Sequence, residues 1–470
     1  MPQPQILTEF AGRILMVGFG CIGRGVLPLL LRHVGTGPDR IRIVTDNARH
    51  RHVAEEYGIA MRVEALTAAN YRGILAQELR KGDFLLNLSI NVASVDLIGW
   101  CQDAGVLYLD ACIEPWEGGY YDTSMTPSQR SNYGLREEAL ALRRPGGGPT
   151  AVLTHGVNPG LVSHFVKQAL LDIAAATGGG AEPRDRAGWA ALAHRLGVRT
   201  IHIAERDTQV SARAKRPGEF VNTWSVEGFA GEGCQPAELG WGTHERHFPP
   251  DGHRHGYGCD AAIYLDRPGA ATRVRSWTPL EGAYHGFLIT HGESVSISDY
   301  LTVREAGRVA HRPTCHYTYH PCDDAVLSLH ELAGKNWRLQ EKRRELAAAD
   351  IEAGMDELGV LLCGHARNAY WYGSRLTIGQ ARALCPLNNA TSLQTAAGVL
   401  GGLVWAMRHP RAGIVDPDDM DFREVLAVAT PYLGEMVGAF SDWTPLQGRG
   451  TLFPEDVDPD DPWQFKNVRV

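Results

Sequence analysis

The sequence predicts an α/β fold, a doubly wound parallel sheet joined to a second α+β domain with a mixed, largely antiparallel sheet. Three observations carry this. Short apolar runs alternate with helical patterns from residue 13 to about 154. A glycine-rich turn, Gly18-Phe19-Gly20-Cys21-Ile22-Gly23, follows the first of these runs directly. Past Pro159 the rhythm changes to short strands and aromatic residues between about 199 and 320.

The first strand, residues 13–17, delivers the chain into the turn. Gly18 allows the turn, Gly20 lets the backbone approach a pyrophosphate, and Gly23 lets the following helix pack close. The helix that follows, Val26 to His33, aims its free N–H groups at the phosphates; Cys21 and Ile22, within the turn, are further candidates for holding the cofactor. A second strand, 41–45, ends at Asp46, 23 residues beyond Gly23. A carboxylate there accepts hydrogen bonds from a ribose and repels a 2′-phosphate, which favours NAD over NADP. Arg49 and Arg51 behind it weaken that preference. Further strands are expected at 84–88, 106–109 and 151–154, with helices at 71–80 and 95–104. The loop 144–149 is rich in Gly and Pro. A helix over 162–176 then leads into Gly178-Gly179-Gly180, and helices return at about 323–345, 389–408 and 420–428. The expected domains are 1–154 for the dinucleotide and 155–374 for substrate and dimerisation, with helices of about 375–470 packing back onto the first.

The bulk numbers limit the function. A chain of 470 residues exceeds one ordinary domain, and 44% hydrophobic with 21% charged residues describes a soluble protein. The net charge of −8 argues against nucleic acid and suits a cationic ligand. The nine scattered cysteines lack a CxxC pair, as expected of reduced cytoplasmic thiols. Residues 1–5 lack the features of a signal peptide. The apolar stretch 396–407 is too short to span a membrane and is expected as a buried helix.

Ligands of doubly wound sheets sit beyond the carboxyl ends of the strands. This singles out Ser89 and Asn91 after the 84–88 strand, the segment from Asp110 to Trp116 with Glu114, and His155 to Gly160 with Asn158. The structural alternative for each is a turn or cap residue. In the second domain, Glu205 ends a strand, and Trp224 and Glu232 follow in a glycine-rich setting. Carboxylates neutralise an ammonium, and an indole face attracts it. The alternative is an ion pair of Glu205 with Arg206 or Arg213 and a core role for Trp224. His244, His247, His253, His255, Cys315, His316, His320 and Cys322 match no closed metal spacing, so no metal is expected. Hydrolase and phosphotransfer motifs are absent from the sequence.

Several runs resemble the bacterial homospermidine synthase family: Val17–Gly25, Glu114-Pro115-Trp116, Ala204–Gln209, Asn222–Gly228, Asn368–Ser374 and the tail from Phe453 to Phe465. The likeness extends nearly end to end. It implies a Rossmann domain, a homodimer, and NAD retained through the reaction. Putrescine would lose a hydride to give an imine, which would lose ammonia either by hydrolysis to an aminoaldehyde or by direct exchange with a second putrescine; re-reduction of the new Schiff base would give homospermidine. The resemblance implies that Glu205 and Glu232 hold the inner amine, and that Trp224 stabilises the cationic imine. Glu114 would attract the distal ammonium near the entrance, and Asn158 would orient substrate. His291 would carry protons, its ordinary pKa lying near neutrality. Asn91 stands where an aspartate is expected. The rival readings are a dehydrogenase of the saccharopine or carboxynorspermidine type, whose pocket would hold arginines, and a non-catalytic NAD sensor.

Overall fold

In the computed structural model, which describes residues 5–470, the N-terminal sheet has seven parallel strands. Most of the segment read for a leader, residues 1–4, lies outside the described residues. Six strands come from the first third of the chain: β1 (Ile14–Val17), β2 (Ile41–Thr45), β3 (Ala60–Val63), β4 (Phe84–Asn87), β5 (Leu107–Asp110) and β6 (Ala151–Val152). The seventh, Ile414–Val415, returns from far along the chain and pairs with β6. Across the sheet the order is Ile414–Val415, β6, β5, β4, β1, β2, β3. Ile14, Leu15 and Met16 are all fully buried, as a strand covered on both faces requires. The chain winds one way through β2 and β3 and the other way through β4 to β6, so the switch point lies at the carboxyl end of β1. The strand β3 has no counterpart in the sequence reading; its alternation of half-exposed residues lacks an apolar run.

The second sheet has ten strands. Its centre is β7 (Thr200–Asp207), flanked by β8 (Thr314–His320), which is parallel to it, and β9 (Met355–His365), which is antiparallel. Beyond β9 follow β10 (Asn368–Thr377) and β11 (Glu435–Ser441), both antiparallel to their neighbours. The helix expected over 323–345 stops at Gly334. Asn336 and Trp337 take φ of 53° and 65°, which end a right-handed helix. Lys342–Glu345 is instead a strand, parallel to Glu219–Asn222.

One long helix ties the sheets together, with a second packed along it. α1 (Cys21–His33) follows the glycine turn. The long helix Ala390–Arg408 is buried along nearly its whole length. Its small residues allow close approach: a Cβ at Gly398 would lie 2.0 Å from the Gly156 oxygen. This helix therefore backs the 154–160 loop directly. Among the described residues no helix is long and apolar enough to cross a membrane, and the nine cysteines are free thiols.

Arg136, from the helix Asn132–Ala141, is buried between Asp416 at 2.7 Å and Asp299 at 3.1 Å. The ion pairs cross-link three distant segments. Removing one member leaves buried charge unpaired, so Arg136→Leu is expected to cost about 3–5 kcal/mol. The shift of the urea midpoint at constant m-value measures it.

Candidate active site

At the end of β1, Gly18 takes φ +87°, and a side chain there would meet the Leu88 carbonyl at 2.7 Å. A Cβ at Gly23 would lie 2.8 Å from the Gly18 oxygen, so only glycine lets α1 seat this close. At Gly20 a Cβ would meet nothing within 4 Å; this side of the turn has room for a phosphate. α1 begins with no side-chain cap and no acidic residue in its first turn. Its leading N–H groups are thus suited to an anion. Burial pushes the Cys21 thiol well up, so this residue has its backbone to offer. Ile22 packs half-buried against the core. Asp46 is exposed at the end of β2 and accepts from the Asn47 amide at 2.7 Å. Ser89, after β4, donates to Asn87 at 2.6 Å. This turn, helix end and carboxylate fit a dinucleotide.

Carboxyl groups converge beside this turn. Strand alternation sends Glu205 and Asp207 to one face of β7 and Arg206 to the other. Arg206 meets Glu281 at 3.0 Å, and Arg213 meets Glu219 at 2.6 Å. The surface ion pairs weighed for Glu205 are therefore not made. Glu205 Oε2 accepts from the Tyr317 hydroxyl at 2.5 Å and from the Asn158 amide at 3.1 Å. Asn158 reaches it from a tightly shaped loop. Asp110 Oδ1 accepts from the Thr154 amide at 2.6 Å, and Gly160 takes φ +127°, where a Cβ would lie 2.2 Å from the Gly156 oxygen.

On β9, Asp356 stands opposite Asp207. Thr391 donates to Asp356 at 2.6 Å and Thr223 to Asp207 at 2.8 Å. His291, just ahead of the helix Gly292–Tyr300, lies between Glu232 on its Nε2 (3.0 Å) and Glu293 on its Nδ1 (3.3 Å). Its ring packs 4.5 Å from that of Tyr317. Glu114 follows β5, and its Oε2 accepts from the Asn91 backbone amide at 3.4 Å. Trp224 is half-buried against Phe229, with centroids 5.3 Å apart, and its Nε1 donates to Tyr319 at 3.4 Å. Gly228 makes room for it, since a Cβ there would touch the indole at 3.2 Å.

Exposure and charge define the chemistry. Glu205 is 2% exposed, Glu114 6%, Glu232 8% and Glu293 1%, while Asp207 and Asp356 are fully buried. Among the described residues the ion pairs of this group are those of His291 with Glu232 and Glu293. Burial, with Glu232 and Asp110 adding to it, pushes the Glu114 carboxyl up to about 8. Burial and the neighbouring Asp207 also raise Glu205, and burial raises Asp207 and Asp356. Such a group favours a bound cation, which would restore ionisation at neutral pH.

One expectation changes. His291 does not keep an ordinary pKa: burial pulls it down, but Glu293 and Glu232 outweigh this and push it up to about 10. At neutral pH it is an imidazolium, able to donate a proton rather than accept one. Glu114 is buried, and the Tyr120 hydroxyl donates to the neighbouring Ile113 carbonyl at 3.0 Å. Asn91 is exposed, with φ 60°, and contributes its backbone amide rather than a charge. Two residues here have no counterpart in the sequence expectations, Tyr317 and Asp356, and Glu293 lay in the run around His291 without a role. Asp207 lay within a noted motif without a role. The histidine-rich segments pair off elsewhere: His255 stacks on Tyr133 at 3.8 Å, His253 meets Asp266 and His247 meets Asp458.

The saccharopine dehydrogenase NADP binding domain family matches residues 14–152, and the saccharopine dehydrogenase C-terminal domain family matches 156–441. A homospermidine synthase of Blastochloris viridis is 54% identical over 465 residues, 98% of this chain and 97% of that protein. One of Mesorhizobium japonicum is 50% identical over 474 residues, 99% and 98% of the two chains. The crystal structure of the Legionella pneumophila homospermidine synthase in complex with NAD superposes with a TM-score of 0.92, at 47% identity over 98% of both chains. The chain belongs to the homospermidine synthase family, on the two-domain saccharopine dehydrogenase pattern.

Proposed function

We propose that this protein converts putrescine to homospermidine, releasing ammonia and using NAD as its cofactor. The observation that carries this reading is the set of buried carboxyls, Glu114, Glu205, Asp207, Glu232 and Asp356, gathered beside a dinucleotide turn with one imidazole as counter-charge. Putrescine is a dication, opposite in charge to these groups when they are ionised. An α-carboxylate substrate would instead need a guanidinium, and none makes an ion pair with these groups among the described residues; this disfavours the dehydrogenase rival. Asp46 supports NAD over NADP, because a 2′-phosphate there would face a carboxylate.

NAD, when bound, supplies the acceptor and donor of hydride. The protein's residues do the rest. Glu205 and Glu232 hold the reacting amine, and the Asn158 amide fixes Glu205 Oε2 toward it. The Trp224 ring offers its face to the cationic imine. His291 holds a proton between Glu232 and Glu293, ready for the leaving amine. Glu114 attracts the distal ammonium. Two copies per assembly and a cytoplasmic setting go with this reading, and the free thiols support the latter.

Purified protein with putrescine and NAD tests it. Homospermidine and ammonia are expected in equal amounts, with no build-up of reduced nicotinamide. Stoichiometric reduced nicotinamide without a triamine would favour the dehydrogenase reading.

The raised carboxyl pKa values make a second prediction. Binding a dication lowers them, so protons leave the protein as putrescine enters near neutral pH. Titration calorimetry in two buffers of different ionisation enthalpy is expected to show release of about one proton per diamine. Affinity rises with pH up to about 8 accordingly. Identical heats in the two buffers would mean the carboxyls are already ionised.

A further inference from the structure

We propose that Tyr317 is a positioning residue, which holds Glu205 and His291 in one fixed relation; this rests on the diamine reading above. β8 places Tyr317 and Tyr319 on the same face, their rings stacked at 5.3 Å and 15°. The Tyr317 hydroxyl donates to Glu205 Oε2 at 2.5 Å, the shortest bond that carboxylate makes. The same ring lies 4.5 Å from the His291 imidazole, tilted by 34°. Tyr319 takes the Trp224 indole N–H on its hydroxyl. One strand thus joins the group that binds the amine, the group that carries a proton and the aromatic face. Tyr317 is 3% exposed and its ring fills the space between the two groups. A space-filling role alone would need a ring and no hydroxyl. The donated hydrogen bond does something further: an O–H directed at a carboxylate favours its charged form and fixes which oxygen faces the substrate.

Glu205 is also faced by Asp207 of its own strand, Asp356 from β9, His291, Asn158, and Tyr319. Tyr284 donates to its backbone oxygen at 3.3 Å. Of these, Asp207 opposes ionisation of Glu205, whereas Tyr317, His291 and Asn158 support it.

Tyr317→Phe keeps the ring and removes the hydroxyl. Infrared difference spectra of the whole enzyme, titrated over pH, follow the carboxylic-acid C=O stretch of Glu205, assigned by its loss in Glu205→Gln. The midpoint in Tyr317→Phe is expected to rise by about one pH unit. The acid limb of kcat/KM for putrescine is expected to move the same way, with a loss of about ten- to hundred-fold at neutral pH. In the Glu205→Gln background the hydroxyl has no carboxylate to serve, so Tyr317→Phe is expected to change the rate less than about two-fold. An unmoved infrared midpoint, or an equal loss in the Glu205→Gln background, overturns the proposal. The infrared titration needs no turnover. If the enzyme made no homospermidine, the functional reading would fail while the assignment of Tyr317 was still judged.

Discussion

Glu205→Gln is expected to lower kcat/KM for putrescine by about a hundred- to a thousand-fold while leaving the protein at least as resistant to urea. The two effects share one cause. Glu205 is 2% exposed, and it accepts from two neutral donors, the Tyr317 hydroxyl and the Asn158 amide. Removing one partner of a buried charge pair costs about 2–5 kcal/mol of binding, which sets the loss toward an ammonium. In the protein alone the same carboxyl is held neutral by burial and the nearby Asp207. Its folded pKa lies above the unfolded value. The stability it supports is fully present below the unfolded pKa and falls as pH rises through the folded one. Glutamine keeps the shape and has no proton to lose. The wild-type urea midpoint is therefore expected to fall between about pH 5 and about pH 9, and to fall less in the variant. A variant with full activity, or one equally sensitive to pH, would deny Glu205 its place at the amine.

What could be read from the sequence was local. The strand ending at Val17, the three glycines and Asp46 lie within a single βαβ unit, and each has one steric or electrostatic reason to be there. Glu205 and Trp224 are of types that suit a cation, but an ion pair and a core ring explain them equally well from the residues alone; their roles come from the resemblance of the runs Ala204–Gln209 and Asn222–Gly228. The remainder came from pairings across long stretches of chain. Asp356 reaches Asp207 only through the antiparallel register of β9 on β7. His291 lost its ordinary pKa because the fold sets Glu232, 59 residues away, against one nitrogen while Glu293 takes the other. Tyr317 looked like any aromatic residue of a buried strand. The helix expected over 323–345 stops short at Gly334, where two left-handed residues, Asn336 and Trp337, turn the chain away.

Trp224→Phe and Trp224→Ala separate attraction by an aromatic face from simple filling of space. The indole packs on Phe229 and Gly228, and its N–H reaches Tyr319. Phenylalanine loses that hydrogen bond and part of the quadrupole but retains a ring. It is expected to keep homospermidine formation within about ten-fold of wild type, since a cation–π contact is worth about 0.5–2 kcal/mol. Alanine removes the face entirely and opens a cavity beside Phe229. Losses of about a hundred-fold or more in kcat are expected, with a smaller change in KM, because the attraction grows when the substrate carbon becomes a cationic imine. Triamine formation under saturating putrescine gives the comparison. Equal rates in the two variants would mean that the ring serves packing alone, and the positive charge of the imine would then have to be met by Glu205 and Glu232 without aromatic help.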